Sequence, residues 1–130
     1  PRVFRALVEA TAFGSKAVID RFVEEGVEID EVIALGGIPK KNPFVMQVTA
    51  DILGLPIKVV KSEQSVALGA AMFGAVAAGA FSDVKQAQDA MGSGYSRVYT
   101  PEAERSKYYQ SLYEQYLQVG EVLEDTLRAL

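Results

Sequence analysis

One stretch of the sequence says most about the fold: Val32-Ile33-Ala34-Leu35-Gly36-Gly37-Ile38-Pro39-Lys40-Lys41-Asn42-Pro43. A short run rich in β-branched residues leads directly into two glycines, a basic loop and the start of a helix. Glycine has no Cβ atom, so its main chain can take a positive φ and a ligand can approach it closely. The N-terminus of the next helix adds unpaired N–H groups and a partial positive charge. The arrangement suits a nucleotide, but a strand followed by Gly-Gly is weak evidence by itself.

Composition narrows the possible functions. The chain has 130 residues, of which 49% are hydrophobic, and this fits one globular domain or a large piece of one. Thirteen Lys and Arg residues against 17 Asp and Glu give a net charge of -4, which offers no general attraction to nucleic acid or an anionic membrane. The sequence has no Cys and no His, so thiol and imidazole chemistry, disulfides and the usual soft-metal ligands are excluded.

The ends and the apolar runs of the chain suggest where in the cell the protein is found. No basic segment with an apolar core opens the sequence, so we expect a cytoplasmic protein without a secretory signal. The longest uncharged run, residues 64–82, is too weakly hydrophobic for a membrane span, and we expect no membrane partner. The first residue is Pro1, and an amphipathic segment begins almost there. We therefore expect residues 1–130 to be a fragment of a longer chain whose upstream part is missing.

Hydrophobic periodicity and turn residues predict the elements of the first half. A helix should run from about Val3 to Glu25, and residues 31–35 should form a strand that is buried on both faces. Pro43 and Gly54 bracket a second helix, and the next strand is expected at 57–60. Strand, helix and strand form a βαβ unit, which is right-handed with parallel strands in nearly all known cases. The fold class is therefore α/β.

The second half is predicted to be helical. We expect a helix at 63–79 with a stripe of small residues, a short helix capped by Ser82, a loop at 92–94, and a long helix from Thr100 and Pro101 to near Leu130. The prediction thus contains two strands and five helices. Two strands do not make a self-sufficient sheet. We expect either the missing upstream chain or another copy to complete it, and hence self-association of the fragment.

Standard nucleotide motifs are absent. Gly36-Gly37-Ile38 fits neither the dinucleotide fingerprint nor the phosphate loop of nucleotide hydrolases. Asn42 precedes Pro43, so its amide suits either a helix cap or the reading of an adenine edge. Lys40 and Lys41 suit either phosphates or a solvated turn. Asp51 and Glu63 would serve as general bases only if buried beside a substrate hydroxyl, and surface or helix-end roles are the alternative. No carboxylates are spaced like metal ligands.

The order of these motifs resembles the C-terminal domain of the FGGY carbohydrate kinases. Four features agree: the glycine pair after an apolar strand, Asn42 five residues before Gln47, Ala50-Asp51 ahead of Leu53-Gly54, and Leu68-Gly69-Ala70-Ala71 at the start of the next helix. Within the family, residues 38–42 are most similar to the L-ribulokinase branch. The resemblance implies part of an actin-like ATPase fold, in which two ribonuclease-H-like domains close on ATP-Mg²⁺ and a sugar.

The resemblance also implies a function for the whole enzyme. It would be a kinase of arabinose catabolism that converts ATP and L-ribulose, a ketopentose, to ADP and L-ribulose 5-phosphate. The ATP- or adenosine-binding residues in this chain would be Gly36, Gly37 and Asn42, joined by Ile38 and Lys41. Mg²⁺ would be held mainly by the missing upstream part. No catalytic residue and no metal ligand is assigned to this chain, so the fragment alone should be inactive.

Two other readings of the sequence remain open. The chain could be a small α/β nucleotide-binding or regulatory module without chemistry of its own. It could also be a helical interaction module in which the Gly36-Gly37 turn is purely structural.

Overall fold

The computed structural model describes residues 2–129, apart from the side chain of Asp125. In chain order, this part contains α1 (Arg2–Glu24), β1 (Val32–Ala34), α2 (Gly37–Lys41), α3 (Pro43–Leu53), β2 (Ile57–Val60), α4 (Ser65–Ala77), α5 (Val84–Met91), β3 (Tyr95–Tyr99) and α6 (Ala103–Arg128). Leu130, near which the last helix was predicted to end, lies outside the described residues. None of the helices within residues 2–129 is both long and apolar enough to cross a membrane.

The sheet has the order β1-β2-β3. β1 and β2 are parallel, with Val32 opposite Ile57, and α3 lies on the connection between them. The predicted α/β class and βαβ unit are confirmed. Pro43 stands in the first turn of α3, and Gly54 ends the helix in the left-handed conformation with φ of 68°, as the turn residues indicated.

A third strand corrects the prediction of two. β3 pairs antiparallel with β2, with Ile57 opposite Tyr99, and an irregularity falls between Val59 and Val60. Four of the five residues of β3 are exposed and only Tyr99 is buried. The strand therefore lacks the alternation of buried and exposed positions by which a half-buried strand is recognised, and pairing with β2 defines it instead.

The first strand also differs from its prediction. β1 was expected to be buried on both faces, but half of the Ile33 side chain is exposed. β1 lies at an edge of the sheet and has one neighbouring strand within the described residues. The face that carries Ile33 is only partly covered. The apolar residues of β1 are therefore not evidence that both of its faces are buried.

The structure adds one helix to the prediction and caps two others differently. The predicted basic loop after Gly37 forms the short helix α2. The cap of α5 is Asp83, not Ser82, since its Oδ1 accepts a hydrogen bond from the N of Gln86 at 2.8 Å. α6 begins at Ala103 and not after Thr100, because a side chain of α3 caps it from another part of the fold, as described below.

The core consists of two clusters that share α3. One face of α3 packs between α1 and α6, and the other packs on the sheet. The first cluster comprises Val8, Ala12, Phe13, Val48, Ile52, Tyr109 and Tyr113. The second comprises Met46, Ala50, Leu53, Ile57, Val59 and Tyr99. α3 is therefore the central element, and it fixes the position of the segment that precedes it.

Candidate nucleotide site

The two glycines after β1 have different roles. Gly36 has φ of 98° and ψ of -168°, a combination that is open essentially to glycine alone. It turns the chain so that α2 begins immediately at Gly37. The φ of Gly37 is not positive, and a Cβ atom built on it would meet nothing within 4 Å. The fold therefore requires glycine at position 36, whereas position 37 is bare backbone beside open space.

Asn42 joins α2 to α3. Its Oδ1 accepts a hydrogen bond from the N of Val45 at 3.2 Å, and Pro43 follows at the start of α3. The capping role, one of the two that the sequence left open, is confirmed. The side-chain Nδ2 has no hydrogen-bond partner among the described residues. The amide can therefore cap the helix through its oxygen and still donate a hydrogen bond to a ligand.

A cleft of 730 Å³ lies between α1 and the α2–α3 segment. Four of the five predicted ATP-binding residues line it, namely Gly37, Ile38, Lys41 and Asn42. Gly36 is not part of the lining, and it contributes only through the turn that leads from β1 into α2. The opposite wall comes from α1 and is mostly apolar: Phe4, Leu7, Val8, Thr11, Ala12 and Ser15. Mostly apolar walls with a few polar groups, at this volume, are typical of small-molecule sites.

Lys40 is anchored to main chain elsewhere in the fold. Its Nζ donates hydrogen bonds of 2.8 Å to the carbonyl oxygens of both Lys61 and Ser62. Lys61 in turn donates its N–H to the carbonyl of Gly94. Lys40 thus ties α2 to the turn after β2, and the main-chain bond from Lys61 ties that turn to the loop before β3. This role was neither of the two that the sequence suggested.

Asp51 is fully buried, with no exposed surface. Its Oδ1 accepts hydrogen bonds from Nε2 of Gln47 at 2.8 Å and from the main-chain N of Glu102 at 2.9 Å. Its Oδ2 lies 3.4 Å from the guanidinium of Arg105. The carboxylate therefore serves as the N-terminal cap of α6. The helix-end alternative for Asp51 is confirmed, and no space remains beside it for a substrate hydroxyl. Glu63 is exposed.

The wall that α1 forms is held by α6. The hydroxyl of Tyr109 donates to Oε1 of Glu9 at 2.9 Å and accepts from the guanidinium of Arg5 at 2.9 Å. Burial raises the pKa of Tyr109, and the bond to Glu9 adds to this shift. Burial, together with the neighbouring Asp20 carboxylate, raises the pKa of Tyr113 to about 12. Both phenols therefore stay neutral and able to donate at ordinary pH.

The family model for the C-terminal domain of the FGGY family of carbohydrate kinases matches residues 1–78. The chain belongs to the FGGY family. It is 45% identical over 124 residues to the ribulokinase of Vibrio parahaemolyticus, and this match covers 95% of this chain and 22% of that protein. It is also 45% identical over 118 residues to the ribulokinase of Geobacillus thermodenitrificans, and that match covers 88% of this chain and 21% of that protein. The FGGY chain thus spans about one fifth of the length of these relatives.

Solved structures of a xylulose kinase and a gluconate kinase share the fold. The chain superimposes on a ligand-bound xylulose kinase from Lactobacillus acidophilus with a TM-score of 0.85 and 26% identity, over 95% of this chain and 25% of that one. A gluconate kinase from the same organism gives a TM-score of 0.84 and 26% identity, over 95% of this chain and 24% of that one. The expected membership in the actin-like ATPase fold is confirmed.

Proposed function

We propose that this chain is the adenosine-binding part of a longer ATP-dependent kinase that converts L-ribulose to L-ribulose 5-phosphate. The observation that carries the proposal is the 45% identity to ribulokinases, which extends over 88% to 95% of the chain. Identity to the solved xylulose and gluconate kinases is lower, at 26%. We place the enzyme in arabinose catabolism and in the cytoplasm on the same basis.

The cleft between α1 and the α2–α3 segment is the adenosine site in this proposal. The nucleoside lies against the bare backbone of Gly37, and the free Nδ2 of Asn42 donates a hydrogen bond to a ring nitrogen of adenine. Ile38 supplies apolar contact and Lys41 stands at the rim. Gly36 does not touch the ligand, but its positive φ brings Gly37 to the cleft. The support is the position of these residues on one cleft of suitable size.

The remaining parts of the reaction belong to the longer polypeptide. Phosphoryl transfer depends on positioning, metal ions and charge neutralisation around the γ-phosphate. Within residues 2–129, no group of three or more Asp and Glu side chains is placed to hold a metal ion. Because the chain spans about one fifth of the length of the ribulokinase relatives, we assign Mg²⁺, the sugar and the catalytic base to the part of the longer polypeptide outside it. Self-association of the isolated chain stays a prediction.

The first test measures both substrates in a coupled assay of the longer polypeptide. A methyl group at position 37 meets nothing in the fold, so Gly37→Ala and Gly37→Val should melt close to the unmodified protein. Both should raise the KM for ATP, the valine more than the alanine, and leave the KM for L-ribulose unchanged. An unchanged KM for ATP in Gly37→Val would show that the cleft is not the adenosine site. Absence of L-ribulose phosphorylation by the unmodified protein would overturn the substrate assignment.

The second test separates the two roles of Asn42. Serine is a good helix cap but lacks the amide donor, so Asn42→Ser should keep the melting temperature. It should weaken ATP binding about fivefold, which is the loss of one neutral hydrogen bond of ~1 kcal/mol. Asn42→Ala should lose both ATP affinity and, through the cap, ~1 kcal/mol of folding stability. If Asn42→Ser binds ATP like the unmodified protein, the amide caps α3 and does nothing more.

A further inference from the structure

A second cleft, of 320 Å³, lies beside α2. It is formed by α2, the end of β2 with the turn that follows, and β3. Pro39 and Lys40 of α2 line this second cleft, whereas Ile38 and Lys41 line the nucleotide cleft. The short helix therefore separates the two clefts. None of the residues that line the second cleft is among those assigned to ATP above.

Three cationic side chains from three different elements meet at the second cleft. They are Lys40 of α2, Lys61 in the turn after β2, and Arg97 of β3. Most lysines and arginines of the described chain form ion pairs, but within residues 2–129 these three form none. Glu63 is the one carboxylate of the lining. The second cleft thus carries two net positive charges in a chain whose net charge is -4, and such a concave site attracts an anion.

Tyr99 holds the guanidinium of Arg97 at the cleft. Nη1 of Arg97 donates a hydrogen bond of 3.2 Å to the hydroxyl of Tyr99, and Cζ lies 5.8 Å from the centre of the same ring. Tyr99 is 6% exposed. Its hydroxyl accepts the bond from Arg97, but its own proton has no acceptor among the described residues. Because a buried O–H group normally finds a partner, an occupant with acceptor oxygens suits this wall.

Lys40 supplies a fixed donor from α2. Its Nζ gives two of its three hydrogens to the carbonyl oxygens of Lys61 and Ser62, each at 2.8 Å. The third hydrogen stays available for a ligand. Because two hydrogen bonds already hold the ammonium group in place, little further ordering is needed when an anion binds. The side chain of Lys61 is exposed and can close over the bound anion.

We propose that the second cleft binds a phosphate group, either free phosphate or that of a small phosphorylated metabolite, and that this site is separate from the nucleotide cleft. The two net positive charges match the charge of a phosphate dianion. The planar fork of Arg97 suits phosphate oxygens, and the hydroxyl of Tyr99 and the third hydrogen of Lys40 are further donors. The volume of 320 Å³ suits a small molecule. The proposal does not depend on which nucleotide or sugar the enzyme uses.

The test measures acetylation of single lysines in the longer polypeptide by an N-hydroxysuccinimide ester, with peptide mass spectrometry as the readout. Bound phosphate should shield the amine of Lys61. Lys107 is the control, because it is also exposed and forms no ion pair within the described residues. With inorganic phosphate at about 10 mM, which fills a site of millimolar affinity to roughly nine tenths, acetylation of Lys61 should slow about tenfold and that of Lys107 should not change.

Further arms identify the ligand and exclude simple screening. Sodium chloride at the same ionic strength should leave the ratio of the two acetylation rates unchanged, because it screens charge without occupying the site. A parallel titration with glycerol 3-phosphate compares a phosphorylated metabolite with free phosphate, and the compound that protects Lys61 at the lower concentration identifies the source of the phosphate group. Arg97→Gln should abolish the protection of Lys61, whereas the matched variant Arg128→Gln, at the exposed end of α6, should retain it.

Three results would overturn the proposal. Equal acetylation of Lys61 with and without phosphate would show that the second cleft is not a phosphate site, and this measurement on the unmodified protein decides even if Arg97→Gln is insoluble. Full protection in Arg97→Gln would mean that Lys61 attracts an adventitious ion only. Protection of Lys61 by ATP in the absence of phosphate, but not by adenosine, would assign the cleft to the phosphates of the nucleotide, and the site would not be separate.

Discussion

Removal of the Asp51 carboxylate should loosen α6 from the rest of the fold. Oδ1 of Asp51 lies 2.9 Å from the N of Glu102 and 2.8 Å from Nε2 of Gln47, and the residue has no exposed surface. Arg105, the third partner, is 3.4 Å away and half exposed. The two short hydrogen bonds should therefore matter more than the ion pair, because the contact with Arg105 is longer and water screens the charge of its half-exposed guanidinium.

The magnitudes follow from this geometry. Each hydrogen bond to a charged acceptor contributes about 1.5–3 kcal/mol, and without the carboxylate the N of Glu102 loses its partner. We expect Asp51→Ala to lower the free energy of unfolding by about 3 kcal/mol. In Asp51→Asn the amide oxygen can still accept both bonds, so the loss should be about 1 kcal/mol. Arg105→Met should cost less than about 1 kcal/mol.

Urea unfolding at neutral pH, followed by circular dichroism, measures the three variants against the unmodified 130-residue chain. The comparison is made at a concentration where each sediments as a single species. A loss below 1 kcal/mol in Asp51→Ala would show that the carboxylate does not hold α6. A loss in Arg105→Met as large as that in Asp51→Ala would make the ion pair, and not the cap, the main interaction.

Three further predictions follow from the described contacts. Lys40→Met should remove both hydrogen bonds from α2 to the turn after β2 and raise the KM for ATP of the longer enzyme at least about fivefold, with the KM for the sugar unchanged, because each such bond is worth ~1 kcal/mol; an equal rise in both constants would show a general loss of folding. The pKa of Tyr113 is raised to about 12, above the ordinary value of 10. The stability from this shift is present below pH 10 and is lost as the pH rises from 10 to 12, because the unfolded chain releases the proton first. Urea midpoints of the 130-residue chain should fall over that range, and less so in Tyr113→Phe; an identical fall in both would assign the effect to other groups. The purified 130-residue chain should show no ATP-dependent phosphorylation of L-ribulose above a no-enzyme control, and turnover would place the catalytic machinery within these residues.

Local signals in the sequence determined much of this fold. Pro43 and Gly54 mark the two ends of α3, because a ring that fixes φ starts a helix and a glycine that accepts a positive φ ends it. The β-branched residues before Gly36 predict β1, and residues 57–60 predict β2 with the observed bounds. The order of these short signals is also sufficient to indicate the FGGY family.

Tertiary structure decided the features whose partners are distant along the chain. Lys40 reaches carbonyls 21 and 22 residues away, and Asp51 caps a helix 51 residues away. β3 exists because β2 offers it an edge, although its own sequence has no clear buried face. A hydrogen bond depends on where its partner lies in space, and a sequence pattern records only neighbours along the chain. For that reason the cap of α6, the anchoring of α2 and the third strand became visible only in the folded chain.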